Sequence, residues 1–572
     1  MDAYQSLENG GRELTQLRSN FERGTTRWAV RRAQWIAMGI PESDFEKPKV
    51  AVVNSSSSLS VCYSHLDQVS RIVQEGVREA GGLPFEIRTA APSDFITSGG
   101  LKARYLLPSR DLVVNDIEVM VEGACLDGMV LLSSCDKTTP AHLMAAARLN
   151  IPSIIVVGGY QLGGHCGGRE VDIEEVYKAV GTVATGAMPI SLLEDWTRVA
   201  IQGPGVCAGL ATANSMHILA EALGMALSGS APVRASSPKM LAYAHEAGRR
   251  VVGLVERNVL PSAILTPAAF RNAATVAVAL GASVNVVRHL AATASEAELA
   301  LNVTDLIEEL GSRISQICRI RPNGPDRIED LEHAGGARGV LQQLREQLVL
   351  DAFTVDERSI GDITNEAQPV DARIIRSLHQ PFAGRPGLTV FRGNLAPDGA
   401  IVKLSAIAAD LSIFRGAARV FEDEDEAIRE LGHGRIHSGT VVILRMMGPL
   451  GGPGTVFACS FMAALAGAGL ANAVAVVTDG ELSGLNRGIT IGQVMPEAAA
   501  GGPLAIVADG DTIQIDLERH TVNLDLPQET IKARLAGWTR PARPAKHGWL
   551  TIYSQVVGPI QKGAVLGRTE SP

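Results

Sequence analysis

Short apolar runs alternate with helical patterns between about residues 48 and 230 of the chain. Val50–Val53, Met129–Leu132 and Ile154–Val157 are continuous apolar runs of strand length. Helical spacing follows the first run at Leu66–Ala80 and the second at His142–Leu149. Strands that are apolar on both faces are typical of parallel sheets that are covered on both sides by helices. The pattern therefore predicts an α/β fold, with a three-layer α/β/α domain around a mostly parallel sheet.

The pattern changes after about residue 380, where the chain is interrupted by residues that end helices and strands: Pro381, Gly384, Pro386 and Gly387. Such a composition is usual in connections between domains. Farther on, Thr512–Leu517 and Thr521–Leu526 alternate apolar and polar residues around a short connection, which predicts an antiparallel hairpin. We therefore predict two domains, a large α/β domain at residues 1–380 and a smaller β-rich, barrel-like domain at residues 381–572.

Composition narrows the function classes. The formal net charge is -9, and no stretch is dense in Lys or Arg, which argues against a nucleic-acid partner. The most apolar stretch, Phe457–Val477, includes Ser460 and Asn472 and favours a buried helix followed by a strand over a membrane span. Met1–Asn20 has no apolar run of the kind that secretory signals contain. We expect a cytoplasmic protein with no membrane contact, whose 7 cysteines are reduced thiols or metal ligands.

Three of the cysteines share one context. Cys62 follows the Val50–Val53 run, Cys135 follows the Met129–Leu132 run, Cys207 follows a Gly-Pro-Gly turn, and each precedes a helical pattern. In an open parallel sheet such turns meet at the carboxyl edge, where ligand sites form, and a helix N-terminus stabilises a thiolate. Buried cysteines also occur as small apolar residues. The spacing alone does not distinguish an iron–sulfur site from a zinc site.

Carboxylates lie close to these cysteines in the sequence. Asp136 and Lys137 directly follow Cys135, and Asp94 lies upstream. Carboxylate oxygens suit a hard cation such as Mg²⁺. Alternatively, Asp136 caps the helix that begins near Pro140, and Asp94 is a turn residue.

A polar, glycine-rich loop at residues 479–488 follows a late apolar run and contains Ser483. Such a loop either presents its serine to a ligand or forms a surface turn.

Taken together, these segments resemble the family of dihydroxy-acid and sugar-acid dehydratases, which includes dihydroxy-acid, phosphogluconate, arabinonate and xylonate dehydratases. The resemblance extends over nearly the whole chain. It rests on these stretches: Asn54–His65, Leu107–Arg110, Cys135–Pro140, Gly203–Met216, Gly393–Pro397 and Asp479–Gly488.

The resemblance implies a hydro-lyase that converts a 2,3-dihydroxy carboxylate to the 2-oxo-3-deoxy acid. It implies that Cys62, Cys135 and Cys207 bind a [2Fe-2S] cluster, in which one iron position stays open for the leaving hydroxyl. Ser483 matches the serine that takes the proton from C2. Members of the family are typically homodimers or homotetramers with the site between their two domains.

The resemblance also implies that Asp94, Asp136 and Lys137 bind Mg²⁺, with Lys137 in a position that is carbamylated in some members. Two positions depart from the family pattern. Phe457 stands where a metal-binding glutamate is usual, and Ser58 stands where a glutamate is common. The first departure predicts a rearranged or weakened Mg²⁺ site, for which Glu481 is a possible substitute ligand.

The motifs at Cys135–Ala141 and Phe391–Asn394 look more like the sugar-acid branch, so we favour an aldonate as substrate. The alternative within the enzymes is the branched-chain substrate 2,3-dihydroxyisovalerate. Outside the enzymes, the alternatives are an iron–sulfur binding or sensor homologue that no longer dehydrates, and a zinc-stabilised protein without iron.

Overall fold

A computed structural model describes residues 17–90, 93, 96, 100–184, 186–366, 370–452, 454, 458–482, 486–541 and 547–567 of the chain. The strands are β1 Lys49–Asn54, β2 Leu83–Arg88, β3 Gly128–Ser133, β4 Ser153–Val157, β5 Gly164–Cys166, β6 Arg169–Val171, β7 Thr389–Gly393, β8 Ala396–Val402, β9 Ile413–Phe421, β10 Thr440–Leu444, β11 Ala475–Thr478, β12 Thr490–Met495, β13 Thr512–Asp516 and β14 Thr521–Leu524.

The α-helices are α1 Thr26–Ala37, α2 Leu66–Glu79, α3 Leu106–Ala124, α4 Thr138–Leu149, α5 Ile173–Ala184, α6 Ile190–Val199, α7 Thr212–Ala222, α8 Pro238–Glu256, α9 Pro261–Ile264, α10 Pro267–Leu280, α11 Asn285–Glu296, α12 Val303–Gly311, α13 Ile328–His333, α14 Gly336–Gln343, α15 Ile360–Asn365, α16 Glu424–Gly432, α17 Cys459–Gly467, α18 Gln528–Gly537 and α19 Trp549–Val556. Short 3-10 turns lie at Glu42–Asp44, Gly100–Tyr105, Arg345–Gln347, Leu404–Ala406, Ala498–Ala500, Pro503–Ile506 and Ile560–Lys562.

A parallel sheet with strand order β2-β1-β3-β4 forms the centre of the amino-terminal part, as far as the described residues show. β1 pairs with β2 and with β3, and β3 pairs with β4, always in parallel. Every residue of β1, β3 and β4 is buried, so both faces of the sheet are covered. The three apolar runs predicted as strands lie within these three strands, which confirms the α/β prediction.

Two glycines hold α2 against α8 at backbone distance. A Cβ on Gly76 would lie 2.2 Å from the carbonyl oxygen of His245, and a Cβ on Gly248 would lie 2.2 Å from that of Val73. Neither position has room for a methyl group without moving backbone, which is costly in a close-packed interior. This contact fixes α2, and with it the loop between β1 and α2 that carries Cys62.

The carboxyl-terminal part is a closed barrel, whose strands in the described ranges follow the order β10-β11-β12-β8-β7-β14-β13-β9. The predicted hairpin is present as the antiparallel pair β13 and β14, in which Ile513 lies opposite Leu524. The barrel has its own apolar core, which includes Val441, Ile491 and Val522. The barrel-like prediction is therefore confirmed, while the domain boundary at residue 380 stays a prediction.

The most apolar stretch of the sequence folds as α17 followed by β11, both inside the protein. The prediction of a buried helix followed by a strand is confirmed. Across the ranges that the structure describes, no helix combines the length and the apolar character needed to cross a bilayer.

Candidate active site

Cys62 and Cys135 lie at one edge of the parallel sheet. Cys62 is in the loop between β1 and α2, and Cys135 is in the loop between the neighbouring strand β3 and α4. The Sγ atom of Cys62 lies 4.0 Å, and that of Cys135 3.9 Å, from the Oγ atom of Ser93. One hydroxyl therefore contacts both thiols. The two side chains face the same buried space, as expected for loops that leave the carboxyl ends of adjacent parallel strands.

Cys207 reaches this region by a different route from the one expected. It precedes α7, but the loop that carries it follows α6, and α6 is a helix and not a strand. The N–H of Gly205 donates to the carbonyl of Val61 at 3.3 Å, and the N–H of Val206 donates to the carbonyl of Gly159 at 2.9 Å. The Cys207 loop is thereby fixed beside the residue that precedes Cys62 and just beyond the end of β4.

Buried polar side chains hold the three cysteine loops together. Ser134 Oγ donates to the carbonyl of Cys62 at 2.5 Å, and His217 Nε2 donates to the carbonyl of Ser134 at 3.0 Å. Asn214 Nδ2 donates to the carbonyl of Cys207 at 2.7 Å. Burial lowers the pKa of His217 to about 4, so the ring is a neutral donor. Helix α7, which carries both His217 and Asn214, thus joins the Cys135 and Cys207 loops, and Ser134 joins the Cys62 loop to them.

Lys137 lies between two carboxylates from distant parts of the chain. Its Nζ atom donates to Asp136 Oδ2 at 2.5 Å and to Glu481 Oε2 at 2.9 Å. All three side chains are buried. Burial disfavours the ammonium form, but Asp136 and Glu481 outweigh it and raise the pKa of Lys137 above its ordinary value. A positive charge at this point is therefore strongly stabilised.

The first turns of α11 supply two more buried polar groups. Arg288 Nη1 lies 3.3 Å from Glu481 Oε1, and none of the guanidinium nitrogens has a hydrogen bond to another described residue. His289 Nε2 lies 3.5 Å from Lys137 Nζ. Burial and the nearby cations lower the pKa of His289 well below its ordinary value, so the imidazole is neutral. The cluster of Asp136, Lys137, Arg288, His289 and Glu481 is called the charged cluster below.

The loop after β11 is anchored on both sides of Glu481. The Asp479 carboxylate accepts hydrogen bonds from the N–H groups of Met447 and Ala498, both at 2.9 Å. The carbonyl of Leu482 accepts from Asn285 Nδ2 at 2.9 Å. These bonds direct Glu481 from the barrel towards Lys137. Ser483 is the next residue in the sequence after Leu482.

Three predicted positions, Asp94, Ser483 and Phe457, lie outside the described residues. Ser93, the sequence neighbour of Asp94, contacts both Cys62 and Cys135. Asp136 is not a helix cap, because α4 begins at Thr138 with Lys137 at its N-cap and no side chain accepts there. In the described ranges, no group of three His, Cys, Asp or Glu side chains is already arranged to hold a metal ion.

Both halves of the chain match the models of one protein family. Residues 47–363 match the dihydroxy-acid/6-phosphogluconate dehydratase N-terminal model, and residues 373–564 match the C-terminal model.

The chain belongs to the dihydroxy-acid/6-phosphogluconate dehydratase family.

This family is one of hydro-lyases, so the protein is an enzyme of the predicted class. A dihydroxy-acid dehydratase of Acetivibrio thermocellus is 41% identical over 540 residues, which cover 94% of this chain and 97% of that protein. That of Ruminiclostridium cellulolyticum is 40% identical over 96% of this chain and 100% of its own length. That of Methanothermobacter thermautotrophicus is 41% identical over 95% of this chain and 99% of its own length.

The sequence patterns did not reveal Ser93, Arg288 or His289 as members of the site. Arg288 and His289 belong to an apolar, Ala-rich and Val-rich segment that reads as an ordinary core helix. A signal was present, since two adjacent basic residues inside such a helix need buried partners. Ser93 gave no signal beyond its position next to Asp94.

Proposed function

We propose that this protein is a dihydroxy-acid dehydratase that converts a branched-chain 2,3-dihydroxy acid, such as 2,3-dihydroxyisovalerate, to the corresponding 2-oxo acid. The observation that carries the proposal is the set of relatives named dihydroxy-acid dehydratase, which are 40% to 41% identical over nearly their whole length. These relatives favour the branched-chain alternative over the aldonate that the sequence motifs favoured.

One of the two sugar-acid-like motifs has a structural role in the barrel. Phe391 stacks on His520 with ring centroids 5.1 Å apart. Arg392 forms ion pairs with Asp305 at 2.6 Å and Glu308 at 2.8 Å, both on α12. These contacts account for the residues of this motif through packing, so the motif carries little weight in choosing a substrate.

Cys62, Cys135 and Cys207 would hold the [2Fe-2S] cluster. Three buried thiols on loops that meet at one sheet edge fit this role, because thiolates are the ligands that iron–sulfur clusters require. With three protein ligands, the bound cluster would supply a Lewis acid at its open iron position for the hydroxyl that leaves C3. Hydrogen bonds among the three loops hold the three cysteines in one region of the protein.

Asp94, Asp136 and Lys137 would hold Mg²⁺. The carboxylates fit a hard cation, Lys137 would become a ligand only as the carbamate, and its ammonium already lies where a positive charge is stabilised by Asp136 and Glu481. Carbamylation would change Lys137 from one positive to one negative charge. This change offsets the two charges of the metal ion and leaves the total buried charge unaltered, which matters because uncompensated buried charge is costly.

Ser483 would accept the proton from C2 of the substrate at its Oγ atom. Loss of the C3 hydroxyl then gives an enol, which tautomerises to the 2-oxo acid. A neutral serine is too weak a base for this step, so Oγ must be held as an alkoxide by nearby positive charge. Arg288 supplies buried positive charge beside Glu481, two residues before Ser483 in the sequence.

We further propose that the protein works in the cytoplasm as a homodimer or homotetramer on a small hydroxy-acid substrate. Exposed apolar side chains on one helix support self-association. Val119 and Met120 of α3 are 69% and 47% exposed.

The substrate proposal predicts that kcat/KM for 2,3-dihydroxyisovalerate exceeds that for five-carbon and six-carbon aldonates by about 100-fold, the discrimination that an apolar pocket gives against added hydroxyls. The measurement uses anaerobically purified, cluster-reconstituted protein with Mg²⁺ and follows 2-oxo acid release. A higher kcat/KM for any aldonate than for the branched-chain acid would contradict the proposal and favour the sugar-acid branch.

A further inference from the structure

Glu481 comes from the barrel but its carboxylate lies against the amino-terminal part of the site. The side chain is fully buried, with Oε2 at 2.9 Å from Lys137 Nζ. The same Nζ atom lies 2.5 Å from Asp136 Oδ2 and 3.5 Å from His289 Nε2. Two carboxylate oxygens and an imidazole nitrogen, all atoms that bind metals, thus surround one cationic atom.

The ammonium of Lys137 marks the position of a cation in this arrangement. Two buried carboxylates need a positive charge between them, and the Lys137 ammonium provides it. The Lys137 head group lies within hydrogen-bond distance of both Asp136 and Glu481, at the point that the two carboxylates share.

Arg288 gives an independent indication that the charged cluster takes a ligand. Arg288 is 1% exposed, and its Nη1 atom lies 3.3 Å from Glu481 Oε1. Its guanidinium nitrogens form no hydrogen bond with other described residues. Buried guanidinium groups are normally hydrogen-bonded, because leaving their N–H groups unsatisfied is costly. These N–H groups would be satisfied by a bound acceptor such as the substrate carboxylate, which places a ligand at the charged cluster beside Glu481.

A purely structural ion pair between Lys137 and Glu481 is the simpler interpretation of the same contact. It does not explain why the Glu481 loop is fixed from both sides. Asp479 is held by two backbone N–H groups, and the carbonyl of Leu482 is held by Asn285. Hydrogen bonds on both sides of Glu481 fix the position of its carboxylate, as a metal ligand requires.

We propose that Glu481 is a ligand of the divalent cation that Asp136 also binds, so that the barrel contributes a carboxylate directly to the metal site. The proposal rests on the proposed function, because it concerns the metal of the same active site. It goes beyond that function by assigning a ligand from the other half of the chain. The cation would take the place of the Lys137 ammonium between the two carboxylates, and Lys137 would contribute to the same site only in its carbamylated form.

The test is the affinity for Mn²⁺, used as a paramagnetic probe, in anaerobically purified, cluster-containing protein without substrate. Free Mn²⁺ is counted by electron paramagnetic resonance. Glu481→Gln keeps the shape of the side chain and removes its charge. We expect the variant to bind Mn²⁺ at least about 10-fold more weakly, the loss that corresponds to about 1.4 kcal/mol, with iron and sulfide contents unchanged.

The matched control is Glu296→Gln. Glu296 is also buried and paired with a basic side chain, since its carboxylate accepts from Arg148 at 2.8 Å and 2.9 Å, but it lies outside the charged cluster. We expect Glu296→Gln to bind Mn²⁺ with the same affinity as the unsubstituted protein. Equal affinity of Glu481→Gln and Glu296→Gln would overturn the proposal and leave Glu481 as an ion-pair partner of Lys137.

Two further comparisons complete the test. If Glu481→Gln does not fold, Glu481→Asp decides, because drawing the carboxylate back by one methylene weakens Mn²⁺ binding only if that carboxylate is a ligand. Failure of the function is separable from failure of the ligand assignment. If the protein dehydrates no dihydroxy acid but Glu481→Gln weakens Mn²⁺ binding, the proposed function fails and Glu481 remains a metal ligand. If the protein dehydrates its substrate but Glu481→Gln binds Mn²⁺ as before, the proposal that Glu481 is a metal ligand fails.

Discussion

Replacing Cys135 by serine lowers the rate of dehydration by about 1,000-fold, because loss of a Lewis acid removes several kcal/mol of transition-state stabilisation. Cys135 lies close to Cys62 in the predicted cluster site, since Ser93 Oγ contacts both thiols. A serine hydroxyl is a hard, weakly acidic group and does not replace a thiolate ligand of iron. The variant therefore also loses the visible absorption and the acid-labile sulfide of the cluster.

Cys318→Ser is the matched control for this prediction. Cys318 is as deeply buried as Cys135, but it belongs to the apolar core, where burial raises the pKa of its thiol well above the ordinary value. A buried hydroxyl there costs some stability and leaves iron and sulfide contents unchanged. Full cluster content and full activity in Cys135→Ser would remove Cys135 from the cluster ligands.

Replacing Ser483 by alanine lowers kcat by about 100-fold to 10,000-fold, which is the usual contribution of a positioned general base. The substitution leaves the cluster and metal ligands in place, so we expect KM and the iron content to change little. Exchange of the C2 proton with solvent deuterium, followed by proton nuclear magnetic resonance, is lost in parallel with turnover.

Ser64→Ala serves as the control for Ser483→Ala. Ser64 is an exposed serine near Cys62 whose hydroxyl donates to the carbonyl of Val61, so its loss should alter neither kcat nor proton exchange. If Ser483→Ala retained the original kcat, the proton would have to be taken by another group, and the role of the loop after β11 would be one of positioning.

Much of the fold was predictable because burial leaves a local signal. Val50–Val53 is apolar at every position since both faces of β1 are covered, and the alternation in Thr512–Leu517 reflects a strand with one face in the barrel core. The order of the barrel strands was not predictable. β9 pairs in parallel with β10 and antiparallel with β13, and periodicity does not specify partners.

Site residues that directly follow strands were predictable from the sequence. Site residues that meet through contacts between distant segments were not. Cys62 and Cys135 lie at the ends of adjacent strands, so their proximity follows from the sheet. Lys137 and Glu481 meet only because the barrel packs against the amino-terminal part, across 344 residues of sequence. Local sequence patterns do not indicate such a contact. They do not indicate the contact between Arg288 and Glu481 either.

The decisive measurement is the product that anaerobically purified protein, with its full complement of iron, sulfide and Mg²⁺, forms from 2,3-dihydroxyisovalerate in deuterated water. Dehydration with retention of the C2 oxygen predicts 2-oxoisovalerate with one deuterium at C3, because the enol is protonated there by solvent. Absence of any 2-oxo acid from this substrate and from the aldonates, in protein whose cluster and metal contents are complete, would contradict the assignment of a dehydratase and favour a family member that binds the cluster without dehydrating.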